Sequence, residues 1–241
     1  MTQFFRLTVF GLSLLLMSRG VALATPSTTY WTPATTAIQG FGVWHLGIDN
    51  YFTLQNQGKD PIPSFPTDVG LTVGVLPWKA LQMEVGVDYL QPFSDPLFYN
   101  AKIGTPEGEV LPISLNLGIF NVGTKKDVTN FNIVHVMAGK SLGSLANLYA
   151  GAYSGNKDLL INDNGEKENT GYMVGLDYWL VKDKFQFAAD YASGENAFGG
   201  GGFGLYWYFA PNASLLTGPV WFNQKSFNGE WKWTTQLDIN F

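Results

Sequence analysis

The stretch from Trp231 to Phe241 divides into two faces when it is read two residues at a time. Trp231, Trp233, Thr235, Leu237, Ile239 and Phe241 fall on one side, and Lys232, Thr234, Gln236, Asp238 and Asn240 on the other. Period-two alternation marks a β-strand whose two sides meet different surroundings. Its length matches the roughly 9–11 residues that a tilted strand needs to cross a bilayer. Two environments satisfy the pattern. The apolar side can pack into the core of a soluble sandwich or lipocalin-like barrel, or it can face lipid while the polar side faces a wet lumen.

Composition separates the two. Charged residues make up 14% of the 241-residue chain, against about 25% in ordinary soluble domains. Aromatics reach 15%, and there are 28 glycines. A soluble domain of this size is short of charge for its surface, whereas a barrel with a lipid-facing band is not. The net charge of −5 offers no basic stripe for nucleic acid. With no cysteine there is neither a disulfide framework nor a thiolate metal site.

An amphipathic closing strand with a terminal phenylalanine resembles the last strand of Gram-negative bacterial outer-membrane β-barrels of the porin-like class. The resemblance covers these residues and names a class, with no specific member. It implies that Trp231, Trp233, Leu237, Ile239 and Phe241 form the barrel-closing address read by the barrel-assembly machinery. It also implies outer-membrane lipid as the partner of the exterior.

The other end of the chain reads as an export signal over residues 1–24. Arg6 supplies a positive n-region, Leu7 to Met17 an apolar segment too short to span a membrane, and Ala22-Leu23-Ala24 a cleavage site. Residues 25–37 are rich in Thr and Pro and read as a loose leader. Residues 38–241 read as the barrel, and no later segment is apolar for the 18 residues that a membrane helix requires.

Along that stretch the alternation recurs. Trp44, Leu46 and Ile48 share a face, as do Val69, Leu71, Val73 and Val75, then Leu81 through Tyr89, Ile113 through Ile119, Tyr172 through Leu180, and Phe185 through Tyr191. Phe131 to Lys140 is strand-like with its facing open, because Ile133 and Val134 are both apolar. Leu145 to Ser154 is the weakest strand. Gly194 to Gly202 reads as a glycine-rich loop. Tight turns near Pro77, Thr105, Ser141, Lys182 and Pro211 alternate with longer connections near Gln55, Gln91, Gly123, Gly155, Gly194 and Gln224. The expected fold is therefore all-β: a transmembrane antiparallel up-and-down β-barrel of about 12 strands.

On these parities the polar faces place Asp49, Glu84, Asp88, Asp177, Asp190 and Asp238 in the lumen, together with Lys102 and Lys232. Three of the acids sit in similar settings, Gly86-Val87-Asp88-Tyr89, Gly175-Leu176-Asp177-Tyr178 and Ala188-Ala189-Asp190-Tyr191. Glu84 is expected opposite Lys102, and Lys232 near Asp49. Asp88, Asp177, Asp190 and Asp238 have no obvious base, and rings of such acids favour cations in a pore. His45 shares a face with Asp49 as a candidate dyad, but no serine falls beside either His45 or His135, and there is no metal-spaced cluster.

The sequence thus reads as an exported outer-membrane protein without a cofactor or metal. Its expected function is that of a narrow passive channel for small or cationic solutes or ions. A plugged structural or adhesive barrel is the alternative. A lipid-modifying enzyme is weaker, because the chemistry is missing.

Overall fold

In a computed structural model, residues 29–54 and 62–241 are described. The proposed signal at residues 1–24 and the first four residues of the leader lie outside them. Twelve strands follow one another: β1 (Trp44–Phe52), β2 (Thr67–Gly74), β3 (Gln82–Gln91), β4 (Leu97–Thr105), β5 (Ser114–Gly123), β6 (Asn130–Leu142), β7 (Ala146–Ser154), β8 (Thr170–Val181), β9 (Phe185–Ala192), β10 (Gly200–Ala210), β11 (Ala213–Phe222) and β12 (Trp231–Asn240). Each pairs antiparallel with its neighbour, and β12 returns to β1 to close the barrel. In that seam Leu46 faces Ile239, Ile48 faces Leu237 and Phe52 faces Trp233. Closure leaves no strand edge unpaired, which a membrane-embedded sheet requires.

The tight turns after β6, β8 and β10 lie at the end that also receives Phe241, and the two longest loops, after β1 and β7, lie at the other. The connections expected as tight turns near Pro77 and Thr105 are longer than those after β3 and β5. The exterior is apolar: Leu117, Val136, Tyr172, Leu180, Trp207 and Phe209 are all exposed. The inner face of β12 is the reverse, with Lys232, Thr234, Gln236, Asp238 and Asn240 buried. A soluble barrel would hold the opposite arrangement, so this one is a transmembrane barrel.

Several segments differ from their expectation. β6 turns Ile133, His135 and Met137 inward and Val134 and Val136 outward. Its start is irregular, with a register shift opposite Phe120 and Val122. Asn121 and Asn132 take the left-handed backbone there, at φ 52 and 47, a conformation asparagine tolerates better than most residues. β10 begins at Gly200, so the expected glycine loop loses its last three residues to a strand. Gly201 pairs with both Tyr191 and Trp221, but three glycines carry no alternation to read. The loop after β11 holds one helical turn, α1 (Lys225–Asn228).

The largest departure is the Thr/Pro leader, which is packed and not loose. From Tyr30 to Gln39 it threads the lumen, with Tyr30, Thr32 and Ala34 fully buried. Two interior clusters form around it. Tyr30 joins Tyr206, Leu216, Val220 and Phe222, while Ala34 joins Ile133, Met137, Tyr153 and Met173. The inner wall makes room where it lacks side chains. A Cβ on Gly175 would lie 2.1 Å from the Ala34 carbonyl oxygen, and one on Gly74 would lie 2.0 Å from that of Gly40. Part of the glycine content is therefore a groove for the leader.

Candidate functional site

A chain segment inside a barrel brings its own backbone donors and acceptors, and each needs a partner there. Side chains of the inner wall supply them. Asp190 on β9 accepts the N–H groups of Trp31 and Thr32 at 2.8 and 2.7 Å. Gln236 on β12 and the Tyr51 hydroxyl on β1 both donate to the Tyr30 carbonyl, at 3.0 and 2.9 Å. Asn116 on β5 donates to the Thr35 carbonyl at 2.8 Å, and Glu84 on β3 accepts the Gln39 N–H at 2.7 Å. Towards the long-loop end, Trp31 is fixed by rings, edge-on to Phe222 at 4.9 Å and to Tyr51 at 5.5 Å. The leader so held descends from the long-loop end to the turn end.

Beside it a cavity of about 360 Å³ remains, lined mainly from β1 to β6. Its deeper part, towards the turn end, carries two charge pairs. Glu84 and Lys102 face each other in register and pair at 3.2 Å, both buried. His45 Nε2 meets Asp238 at 3.4 Å, and its Nδ1 lies 2.8 Å from the Asn240 side-chain oxygen. The expected dyad of His45 with Asp49 is thus replaced by His45 with Asp238, because β12 closes beside β1 with Asp238 opposite Gly47.

Nearer the long loops the same cavity carries three carboxylates. Asp49 and Asp68 are direct cross-strand partners. Asp88 sits one strand further on, opposite Gly70. A Cβ at position 70 would fall 2.8 Å from Asp88 Oδ1, so the glycine leaves the carboxylate its space. Asn100 donates to Asp88 at 2.9 Å. None of the three forms an ion pair among the described residues. Like charges directly opposite on a sheet repel, and the basic side chains of the same cavity, Lys102 and His45, are paired with Glu84 and Asp238 instead.

The remaining site candidates are already engaged. Asp190 serves the leader and also accepts the Gly202 N–H at 3.1 Å. Asp177 accepts from Asn147 and Tyr149, each at 2.7 Å, and from Gln186 at 3.1 Å. Lys232 does not reach Asp49, whose partner on β12 is Gln236. Its ammonium instead donates to Thr53 Oγ1 at 2.9 Å and the Pro63 carbonyl at 2.8 Å, over the Phe65 ring at 4.5 Å, and so ties down the β1–β2 loop. On the outer face of β12, Trp233 is exposed and Trp231, Leu237 and Ile239 are partly so, and Phe241, just past the strand's end, is exposed.

Asp68 was missed as a site residue although Gly70 and Thr72 mark the same polar face. It lies one residue inside β2, where alternation has barely begun. The leader's role had no readable signal, since an extended segment without strand partners has no periodicity. Catalysis gains nothing from the geometry. The Ser214 hydroxyl lies 3.3 Å from Asp238, so the carboxylate stands between serine and His45, whereas a hydrolytic triad needs the histidine in the middle. No cluster of metal-ligating side chains occurs among the described residues.

No protein-family model matches the sequence, and no curated protein matches it. The fold does have solved counterparts. The KdgM porin aligns at TM-score 0.56 with 7% identity, over 83% of this chain and 99% of that one. The NanC porin aligns at TM-score 0.53 with 8% identity, over 81% and 98%. The KdgM porin in complex with disordered oligogalacturonate aligns at TM-score 0.54 with 8% identity, over 83% and 99%. At such identities the likeness is one of fold: this chain has the closed-barrel architecture of the outer-membrane porins.

Proposed function

We propose that the protein is an outer-membrane channel for small solutes, narrowed by its own leader and preferring cations. Residues 1–24 are its export signal, outer-membrane lipid surrounds it, and the barrel-assembly machinery inserts it through the Trp231–Phe241 strand. The observation that carries the reading is the cavity beside the leader, lined by Asp49, Asp68 and Asp88 without ion-pair partners among the described residues. In a narrow, low-dielectric passage such charges act strongly on ions, because little water screens them.

Oligogalacturonate, which accompanies the KdgM porin in one of its structures, is a polyanion. The present lumen is unsuited to such a solute. The sequence has no arginine after Arg19, Lys102 is paired with Glu84, and Lys232 is committed to a loop. A shared fold does not imply a shared solute.

The buried leader also favours a second reading, a plugged barrel without a pore. Planar-bilayer recordings of the full chain and of a chain lacking residues 29–39 separate the two. The channel reading expects small steps from the full chain and larger steps after deletion, with heat-modifiable gel mobility retained in both. Current that appears only after deletion would establish the plugged barrel, and none in either form would refute the channel.

A further inference from the structure

The cavity that the channel reading uses is not uniform around its mouth. On β1 to β3 stand Asp49, Asp68 and Asp88. On β4 to β6 stand Phe98, Phe120 and Phe131, joined by Phe198 from the loop between β9 and β10. Phe120 and Phe198 pack with ring centroids 5.3 Å apart. One wall is thus anionic and the other aromatic. Its volume of about 360 Å³ lies at the small end of the range for ligand sites.

A second observation comes from His135 on β6, which lines the same cavity and is only 3% exposed. Neither of its ring nitrogens has a hydrogen-bond partner among the described residues. Asp68 Oδ1 is buried and unpartnered as well. A buried imidazole normally satisfies both nitrogens, since an orphaned polar atom forfeits the hydrogen bonds that it makes to water. An imidazole left open on a cavity wall offers a ligand one donor and one acceptor.

We infer that this cavity is a binding site for a small amphiphilic ammonium compound. The ammonium group lies against Asp49, Asp68 and Asp88, the apolar body lies on the phenylalanine wall, and a hydroxyl or similar polar group reaches His135. The molecule itself shows that such rings accept an ammonium: Lys232 Nζ stands 4.5 Å above Phe65 at the same mouth. Aromatic faces attract cations through their quadrupole, and carboxylates supply the stronger, charge-assisted contact. The site rests on the channel reading for its biological role, but its occupancy does not require current to flow.

Calorimetric titration of the full-length protein in non-ionic detergent tests this, with tyramine as the probe. Saturable binding is expected for tyramine. 3-(4-Hydroxyphenyl)propionate, of similar shape and opposite charge, should not bind. Asp68→Asn with Asp88→Asn should weaken tyramine by about tenfold or more, the scale of a lost charge-assisted contact. His135→Phe should weaken it by a smaller factor. Equal binding of amine and acid, or unchanged affinity in the double variant, overturns the site. If the double variant does not fold, the amine-versus-acid comparison on the native sequence decides alone. A cation-selective channel that binds no tyramine overturns the site and leaves the channel standing. Tyramine binding by a barrel that passes no current does the reverse.

Discussion

The Asp190 carboxylate closes on the backbone of Thr32: its Oδ2 accepts the Thr32 N–H at 2.7 Å and lies 3.1 Å from the Thr32 hydroxyl. The same oxygen takes the Trp31 N–H at 2.8 Å, while Oδ1 takes that of Gly202 at 3.1 Å. One side chain thereby fixes the leader to the barrel wall. Asp190→Ala leaves three amides without their acceptor. Hydrogen bonds to charged groups contribute about 1.5–3 kcal/mol each. With three such bonds lost, urea unfolding in detergent should show a loss of about 4.5 kcal/mol or more, and single-channel records should become noisier as the leader loosens. Unchanged stability with quiet records would mean that Asp190 does not hold the leader.

The leader's path can be fixed covalently. Thr36 Oγ1 and Ser114 Oγ lie 2.7 Å apart, and the chain has no native cysteine. Thr36→Cys with Ser114→Cys should oxidise to a disulfide, since the two positions already point at each other within bonding reach. A faster-moving band on non-reducing denaturing gels is the expected readout, absent from either single variant. Failure to cross-link under oxidant would place the leader outside the lumen.

The architecture of the barrel was legible in the sequence, and the contents of its lumen were not. β12 and β3 alternate cleanly because their inner residues, such as Gln236 and Asp88, are polar while their outer residues are apolar. β6 was ambiguous for a physical reason: Ile133 and Met137 face inward, but onto Ala34 and its neighbours rather than onto water. Apolar side chains therefore occupy both faces, and the period disappears. The pairing of Glu84 with Lys102 followed from folding one hairpin. The partners of Lys232 and His45 depended on the seam and on a loop, where local register gives no guidance. Asp190 read as one more lumen acid, because nothing local reveals that a distant segment supplies its donors.

Buried pairs cost most when half removed. Glu84 and Lys102 are almost completely buried, and Glu84 also accepts the Gln39 amide. Lys102→Met should destabilise by about 3–5 kcal/mol, because it strands a charge in the interior. Adding Glu84→Gln should recover much of that loss. Chemical denaturation of the four-member cycle measures the coupling, and additive effects would show that the pair is not a unit.

At the turn end, Glu107 accepts from Lys140 and from the Ser141 backbone N–H. The Lys140 ammonium first, and the Ser141 amide second, hold its carboxyl down from the ordinary 4.5 to about 2. Its folded value lies below its unfolded one. The stabilisation is thus fully present above about pH 4.5 and is lost as pH falls through about 2. Carbon-13 titration of the Glu107 carboxyl should show that low midpoint, and Lys140→Met should move it upward. A midpoint near 4.5 in the unaltered protein would show that the turn is not held this way.

The reversal potential under a potassium chloride gradient tests the central claim most directly, because Asp49, Asp68 and Asp88 line the passage left beside the leader. The account predicts a reversal potential displaced towards the potassium equilibrium value. Asp68→Asn with Asp88→Asn should reduce that displacement while heat-modifiable gel mobility stays unchanged. A displacement towards chloride, or one that the double substitution leaves untouched, would contradict it.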